Sequence, residues 1–335
     1  MSKLGDLGYK HISYYTDETK RKMDRMRSGL IRPLFTSSNK EKEYVGGALP
    51  SDQIVIAART GTGKSAKVIQ DCVDYSSTVI NPSYEGKLII LLDSWEMPGF
   101  KNVLRMTSRI GEVEVKALLD YEKRLTEERY QLLKAMVDQF AGLPIYMSTR
   151  PTSVAQWEEN KKQAQGRFPN HTILNIFDHT RLVMKSNEKS EEELISQLML
   201  AGMRIKNDFE MINIFISQLN RNIETNVSRD KMGEYTPVAS DIFGSDAVFQ
   251  CADIVMALHR PGIYKVEFFE NRPTGYDPND PFKPDNMLVQ CYLKNRDGWT
   301  GNLLMKHNLA HNRIYDWVDE FTQDDYFSNS KQIIE

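Results

Sequence analysis

The 335-residue chain is 40% hydrophobic and 27% charged, with a formal net charge of −3. That composition supports a sizeable core under a charged surface and argues against a polycation, so any nucleic-acid contact has to come from a local basic surface. The three cysteines, Cys72, Cys251 and Cys291, lie far apart with no C-x-x-C among them, which argues against a disulfide framework or zinc site and fits a reducing cytoplasm.

Residues 1–44 stand apart, with ten Lys/Arg against six Asp/Glu. The opening MSKLGDLGYKHISYY has no apolar centre of a secretory signal. Nowhere does the chain hold the ~18 consecutive apolar residues of a membrane span, so no membrane partner is expected. Residues 16–28 read as a short helix, with Thr16 and Asp17 able to cap its start and Ser28-Gly29 its end. Met23, Met26 and Leu30 form a narrow apolar stripe. Such a stripe suits a helix packed on its own domain, or an arm packed on a neighbouring subunit.

Residues 54–65, IVIAARTGTGKS, carry the strongest signal in the chain. A β-branched apolar run breaks into a glycine turn and then a helix-forming stretch, the order of a phosphate-binding P-loop. Glycines let backbone N–H groups face a triphosphate. Lys64 supplies a point charge to the β- and γ-phosphates, and Ser65 a hydroxyl to Mg²⁺. The helix opening at Ala66 turns its positive end to the same phosphates. The expected nucleotide-binding residues are therefore Arg59, Thr60, Gly61, Thr62, Gly63, Lys64, Ser65 and Ala66; Ala58 stands where the motif usually begins with glycine.

Downstream, apolar runs at 54–58, 88–92, 172–177, 212–217, 254–258 and 287–293 alternate with helix-like stretches at 112–140, 154–165 and 191–206. Strands buried on both faces and separated by helices predict an α/β fold with a largely parallel sheet. The strand at 88–92 leads to Glu96, whose carboxylate can polarise an attacking water if that strand lies beside the P-loop strand. The strand at 172–177 leads to Asp178, either a solvated strand-end carboxylate or a holder of Mg²⁺. Asn175 interrupts its apolar run, and the isolated His179 reads as structural. The third strand leads to Gln218, able to hydrogen-bond a γ-phosphate. Residues 268–286, rich in Pro, Asn and Asp, predict an exposed loop before the last strand. After that strand, Lys294 and Arg296 alternate, so both point to one side and can reach a nucleotide in this subunit or the next.

In this order the motifs resemble the replicative hexameric helicases of the DnaB type, which are RecA-like ring ATPases. The resemblance is colinear over roughly 45–320. GGALPSD at 46–52 is similar to the family's Gly-Leu-x-Pro-Ser-Asp, and AARTGTGKSA at 57–66 to its P-loop. SWEMP at 94–98 is similar to Ser-Leu-Glu-Met-Pro, SQLNR at 217–221 to a family signature, and KNRDG at 294–298 to Lys-Gln-Arg-Asn-Gly. Ser240-Asp241, Gln250 and Ala252-Asp253 match the segment before the next strand.

The resemblance implies a RecA-like P-loop NTPase: a mostly parallel central sheet flanked by helices over 45–335, and a short N-terminal helical arm over 1–44. Glu96 is then the catalytic base and Asp178, with Ser65, the metal-holding group. Gln218 senses the γ-phosphate, and Lys294 and Arg296 reach across the subunit interface. ATP, Mg²⁺, single-stranded DNA and a homo-hexameric ring are implied, with primase or a helicase loader as further partners, in the cytoplasm of a bacterial or phage-infected cell.

Three departures stand out. The family's N-terminal helical domain, which docks primase, has no counterpart, and residues 1–44 have the length of an arm resembling its linker helix. Asp178 is followed by His-Thr-Arg-Leu rather than Tyr-Leu-Gln-Leu. Phe243 stands where the family's DNA-loop segment carries Arg, leaving Arg221, Arg229 and Lys231 to line the channel. Two other readings remain: a RecA-like recombination ATPase, opposed by SWEMP and KNRDG, and an ATP-gated ring or scaffold that has lost unwinding.

Overall fold

In a computed structural model, the described residues are 9–318 apart from 120–124, 181–182, 186–189, 225–234 and 281–282. A nine-stranded sheet organises them. Its parallel part holds β1 (Gln53–Ala58), β2 (Leu88–Ser94), β3 (Ile145–Ser148), β4 (Thr172–Asp178), β5 (Ile212–Gln218) and β6 (Ile254–His259). A two-stranded hairpin, β7 (Phe268–Phe269) and β8 (Arg272–Pro273), stands outside the sheet. The antiparallel part adds β9 (Met287–Asn295), β10 (Gly301–Asn308) and β11 (Arg313–Asp316) beyond β6. The order across the sheet is β11-β10-β9-β6-β1-β5-β4-β2-β3.

The pleat sorts the apolar runs onto two faces. From β1, Val55 and Ala57 enter one core with Phe177, Phe215 and Trp157. Ile54, Ile56 and Ala58 enter the other with Ile69, Cys72 and Met106. The first core is covered by α7 (Val154–Arg167), α8 (Glu191–Phe209) and α9 (Ser245–Cys251), and the second by α3 (Lys64–Ser76) and α4 (Gly99–Gly111). This two-faced burial is why the central strands read as continuous apolar runs. Asn175 is accommodated by pairing: its amide donates to Asn213 Oδ1 (2.8 Å) on the neighbouring strand, and Asn213 donates to Gly202 O (2.9 Å).

Several expectations need correction. The strand leading to Glu96 is not beside the P-loop strand; β5 and β4 lie between β1 and β2. The helix-like stretch at 112–140 is broken. After α4 the chain turns at Glu112 (φ 49°), then forms α5 (Val115–Leu119) and α6 (Glu127–Gln139), the latter capped by Thr126. The strand at 287–293 is not the last, because β10 and β11 follow. The 268–286 segment is not wholly exposed: Phe269, Thr274 and Asp285 are buried.

The stretch 1–44 holds two unlike parts. The first helix, α1 (Ile12–Arg27), begins before Thr16, with His11 accepting from Ser13 N as its cap. None of its residues is buried, and its stripe faces outward, with Met23 63% and Leu30 73% exposed. The reading of that stripe as packed on its own domain is therefore not met. The polar side of α1 meets the body at Glu210, which pairs with Lys22 (2.8 Å), and from Ile31 onward the chain is built into the body. Leu34 is fully buried and pairs with Ala48 through two backbone hydrogen bonds (2.8 and 2.9 Å). The short α2 (Asn39–Tyr44) receives the Asp316 carboxylate at its N-terminus, on the N–H groups of Asn39 (2.9 Å) and Lys40 (3.2 Å).

Glu41 of α2 also reaches α3. Lys67 Nζ lies 3.0 Å from Glu41 and 2.7 Å from Asp71, with all three side chains buried. The two carboxylates hold the Lys67 pKa above the usual lysine range. Replacing Lys67 by Met leaves two buried carboxylates without their cation. The expected cost is ~3–5 kcal/mol of unfolding free energy, read from a urea titration; a change under ~1 kcal/mol would show that water reaches the cluster.

Candidate active site

The parallel strands bring their C-terminal ends to one edge of the sheet. There β1 runs into the glycine turn, whose Gly61 (φ 83°) and Gly63 (φ 109°) occupy the left-handed region that side chains disfavour. Gly63 is the N-cap of α3, so Lys64 and Ser65 stand in the helix's first turn. Along the same edge, Gln218 is in register with Ala58, and Asp178 with Ser94. Past Ser94, Trp95 packs edge-on against Phe177 (centroids 4.8 Å apart), and the next residue, Glu96, is exposed.

The charges at this edge act on one another. Burial lowers the Lys64 pKa, opposed by Asp178 and Glu96. Burial raises Asp178 to about 6, with Lys64 and Arg105 pulling it back and Glu96 pushing it further. Asp178 Oδ1 is buried and accepts no hydrogen bond from any described residue. A buried acceptor of this kind, within electrostatic reach of Lys64 at the start of the helix that also carries Ser65, suits a hard cation accompanying a phosphate chain.

Asp93, the carboxylate within β2 itself, is engaged elsewhere. Its Oδ2 accepts from Lys161 Nζ (2.7 Å) and Trp157 Nε1 (2.8 Å) inside the core. Arg59 directs its guanidinium away from the turn, to Glu224 (Nε 2.9 Å) and Leu219 O (3.5 Å). Thr60 is exposed, whereas Thr62 and Ala66 are buried. Beyond β5, Arg221 is exposed; Arg229 and Lys231 lie outside the described residues. Phe243 packs against the core, and its N–H donates to Gln218 O (3.1 Å).

Lys294 and Arg296 lie at the opposite edge. Strand β9 runs antiparallel to β6, which places its C-terminal end at the start of β6. Arg296 Nε is 3.6 Å from Asp253, whose carboxylate also accepts from Gln53 N (2.8 Å), at the beginning of β1. The length of β1 therefore separates Arg296 from the glycine turn, about 17 Å for five residue steps. These two cations cannot serve this subunit's own turn. Lys294 Nζ donates to Ala252 O (2.6 Å) and Phe249 O at the C-terminus of α9, while the Arg296 side chain is half-exposed.

The model of the DnaB-like helicase C-terminal domain matches residues 35–316. The chain belongs to that family. This DnaB-like chain is 25% identical over 275 residues to a probable replicative DNA helicase of Trieres chinensis, covering 81% of itself and 54% of that protein. It is 25% identical over 299 residues to the replicative DNA helicase DnaB of Geobacillus stearothermophilus, covering 89% of itself and 59% of that protein. The chain thus spans little more than half the length of these relatives. Among solved structures, a DnaB-like replicative helicase described with its primase interactions superposes over 90% of this chain and 66% of that one, with a TM-score of 0.72 at 18% identity. A separately solved ATPase domain superposes over 92% of this chain and all of its own length, with a TM-score of 0.74 at 19% identity. These likenesses establish the RecA-like ATPase fold of the DnaB-like family.

Two features of the site carried no sequence signal. Arg105 on α4 reaches Asp178 electrostatically, although nothing marks it among the chain's other arginines. Leu309, in the turn between β10 and β11, lies where a side chain on Gly63 would contact it at 3.1 Å.

Proposed function

We propose that this DnaB-like chain is the ATP-hydrolysing motor of a DNA helicase, translocating on single-stranded DNA as a homo-hexameric ring in DNA replication. The observation that carries the reading is the division of the machinery between two sheet edges. Lys64, Ser65, Asp178, Glu96 and Gln218 share one edge, and Arg296 is held at the other. A site that needs a transition-state arginine is then completed by a neighbouring copy.

Thr60–Ala66 backbone amides and Lys64 would bind the phosphates, and Ser65 with Asp178 would hold Mg²⁺. A bound Mg²⁺ would neutralise charge on the phosphate oxygens. Glu96 would take a proton from the attacking water. Gln218, joined by its own carbonyl to Phe243 and followed by Arg221, would pass γ-phosphate loss to the DNA-facing loop. Arg59 would brace the turn against Glu224 rather than touch nucleotide. Arg296, with Lys294 in support, would complete the neighbour's site. The basic, outward-facing α1 fits an arm docking on the adjacent subunit, with the motor domain beginning after it. Three free, buried cysteines fit a cytoplasmic setting. Among the described residues no helix is long and apolar enough to cross a membrane. Primase or a loader remains the expected class of protein partner.

Single-stranded DNA should bind in the presence of a non-hydrolysable ATP analogue and raise the rate of ATP hydrolysis. Affinity should fall with salt at a log–log slope of ~−0.7 per phosphate contact, so about −2 if Arg221, Arg229 and Lys231 each contact one phosphate. Fluorescence anisotropy with labelled oligonucleotides of several sequences checks this, with little sequence preference expected. Absence of binding at low salt by confirmed oligomers would favour the scaffold reading; strand displacement separates a helicase from a recombinase.

A further inference from the structure

The glycine turn is held from behind by a residue outside the motifs. Arg260 follows β6, the strand beside β1, and its Nη1 donates to Gly61 O (2.9 Å). The same guanidinium is fixed by Asp285, with Nε 2.7 Å from Oδ2 and Nη2 on Oδ1, a two-pronged charge-assisted pair. Asp285 is buried, lies 3.6 Å from His307 Nε2, and packs so closely on Gly262 that a Cβ there would fall 2.3 Å from it. Its pKa stays below the usual carboxylate range because the His307 and Arg260 contacts outweigh burial.

A peptide unit is planar and trans, so its C=O and N–H point in opposite directions. Fixing Gly61 O toward Arg260 therefore fixes Thr62 N–H toward the inside of the turn, where it now donates to Arg59 O at the long distance of 3.3 Å. Gly61 has no side chain to resist a flip of this peptide, and among the described residues beyond its chain neighbours no atom lies within 4 Å of where its Cβ would be. We infer that Arg260, oriented by Asp285, is a positioning residue that locks the Gly61–Thr62 peptide with its N–H turned inward for a phosphate oxygen. Because Asp285 neutralises it, the contribution is orientation of the amide rather than added positive charge. This inference rests on the reading of the turn as a nucleotide site.

The test measures affinity for N-methylanthraniloyl-labelled ATP and ADP, turnover, and thermal stability in the parent chain and in Arg260→Ala, Arg260→Lys and Asp285→Asn. Arg260→Ala should weaken both nucleotides equally, by at least ~10-fold, the scale of a lost charge-assisted hydrogen bond. Its turnover at saturating ATP should stay within about threefold of the parent. Arg260→Lys should recover part of the affinity, and Asp285→Asn should fall between parent and Arg260→Ala. If Arg260→Ala does not fold, the other two carry the same expectation. Unchanged affinity in folded variants would overturn the positioning role, as would a loss confined to maximal turnover. A parent chain that binds neither nucleotide would overturn the nucleotide-site reading and this inference with it.

Discussion

Glu96→Gln should bind ATP normally and hydrolyse it at least ~100-fold more slowly, the scale on which a positioned general base contributes. The amide is isosteric, and the side chain is exposed beyond the Trp95 anchor, so fold and nucleotide affinity should persist. The competing carboxylate makes the contrast informative. Asp93 is buried against Lys161 and Trp157. Asp93→Asn leaves Lys161 without its counter-ion and should destabilise the chain by ~3–5 kcal/mol, with turnover per folded molecule little changed. Single-turnover hydrolysis, with nucleotide affinity and a urea titration on the same samples, separates the two. A normally active Glu96→Gln beside a stable but inactive Asp93→Asn would move the base from Glu96 to Asp93.

That choice between Asp93 and Glu96 shows where sequence patterning runs out. The strand reads clearly because β2 is buried on nearly its whole length, but a run of apolar residues does not state its neighbours. β2 lies three positions from β1, so Glu96 comes within electrostatic reach of Lys64 from beyond the strand end rather than from an adjacent strand. Tertiary packing decides which carboxylate is presented: Trp95 folds back onto Phe177, and Lys161 arrives from a helix far along the chain.

The central strands and the glycine turn were legible for two physical reasons. Two-faced burial writes continuous β-branched runs, and a phosphate turn needs glycines at fixed spacing. The sheet margins lack both signals. β3, with sequence IYMS, is an edge strand with two exposed residues. β10 mixes Asn, Lys and His into its span and is antiparallel, so no crossover helix announces it. The separation of the 112–140 stretch from α4 turns on Glu112 in a left-handed conformation, which a non-glycine residue does not advertise. The Arg260 contact joins residues 199 positions apart and follows no motif. The alternation of Lys294 and Arg296 was visible, but the capping of α9 by Lys294 was not, because it depends on where that helix ends.

Arg296→Ala should bind ATP with near-normal affinity and lose ~10³-fold or more in turnover, the range of an arginine supplied in trans to phosphoryl transfer. Half-exposed, with its Nε 3.6 Å from Asp253, it should cost little stability when removed. Lys64→Ala should be inactive for a different reason, in its own glycine turn. Since Arg296 stands a strand's length from that turn, the proposed ring would place the two losses on different subunits of one composite site. Mixed oligomers contain some interfaces where an intact Lys64 meets an intact Arg296. The most direct measurement is therefore ATP turnover by Arg296→Ala, by Lys64→Ala, and by the two mixed after subunit exchange. The expected result is two nearly inactive preparations and a mixture that regains part of the parent rate; an Arg296→Ala chain hydrolysing ATP at the parent rate on its own would contradict a site completed across the subunit interface.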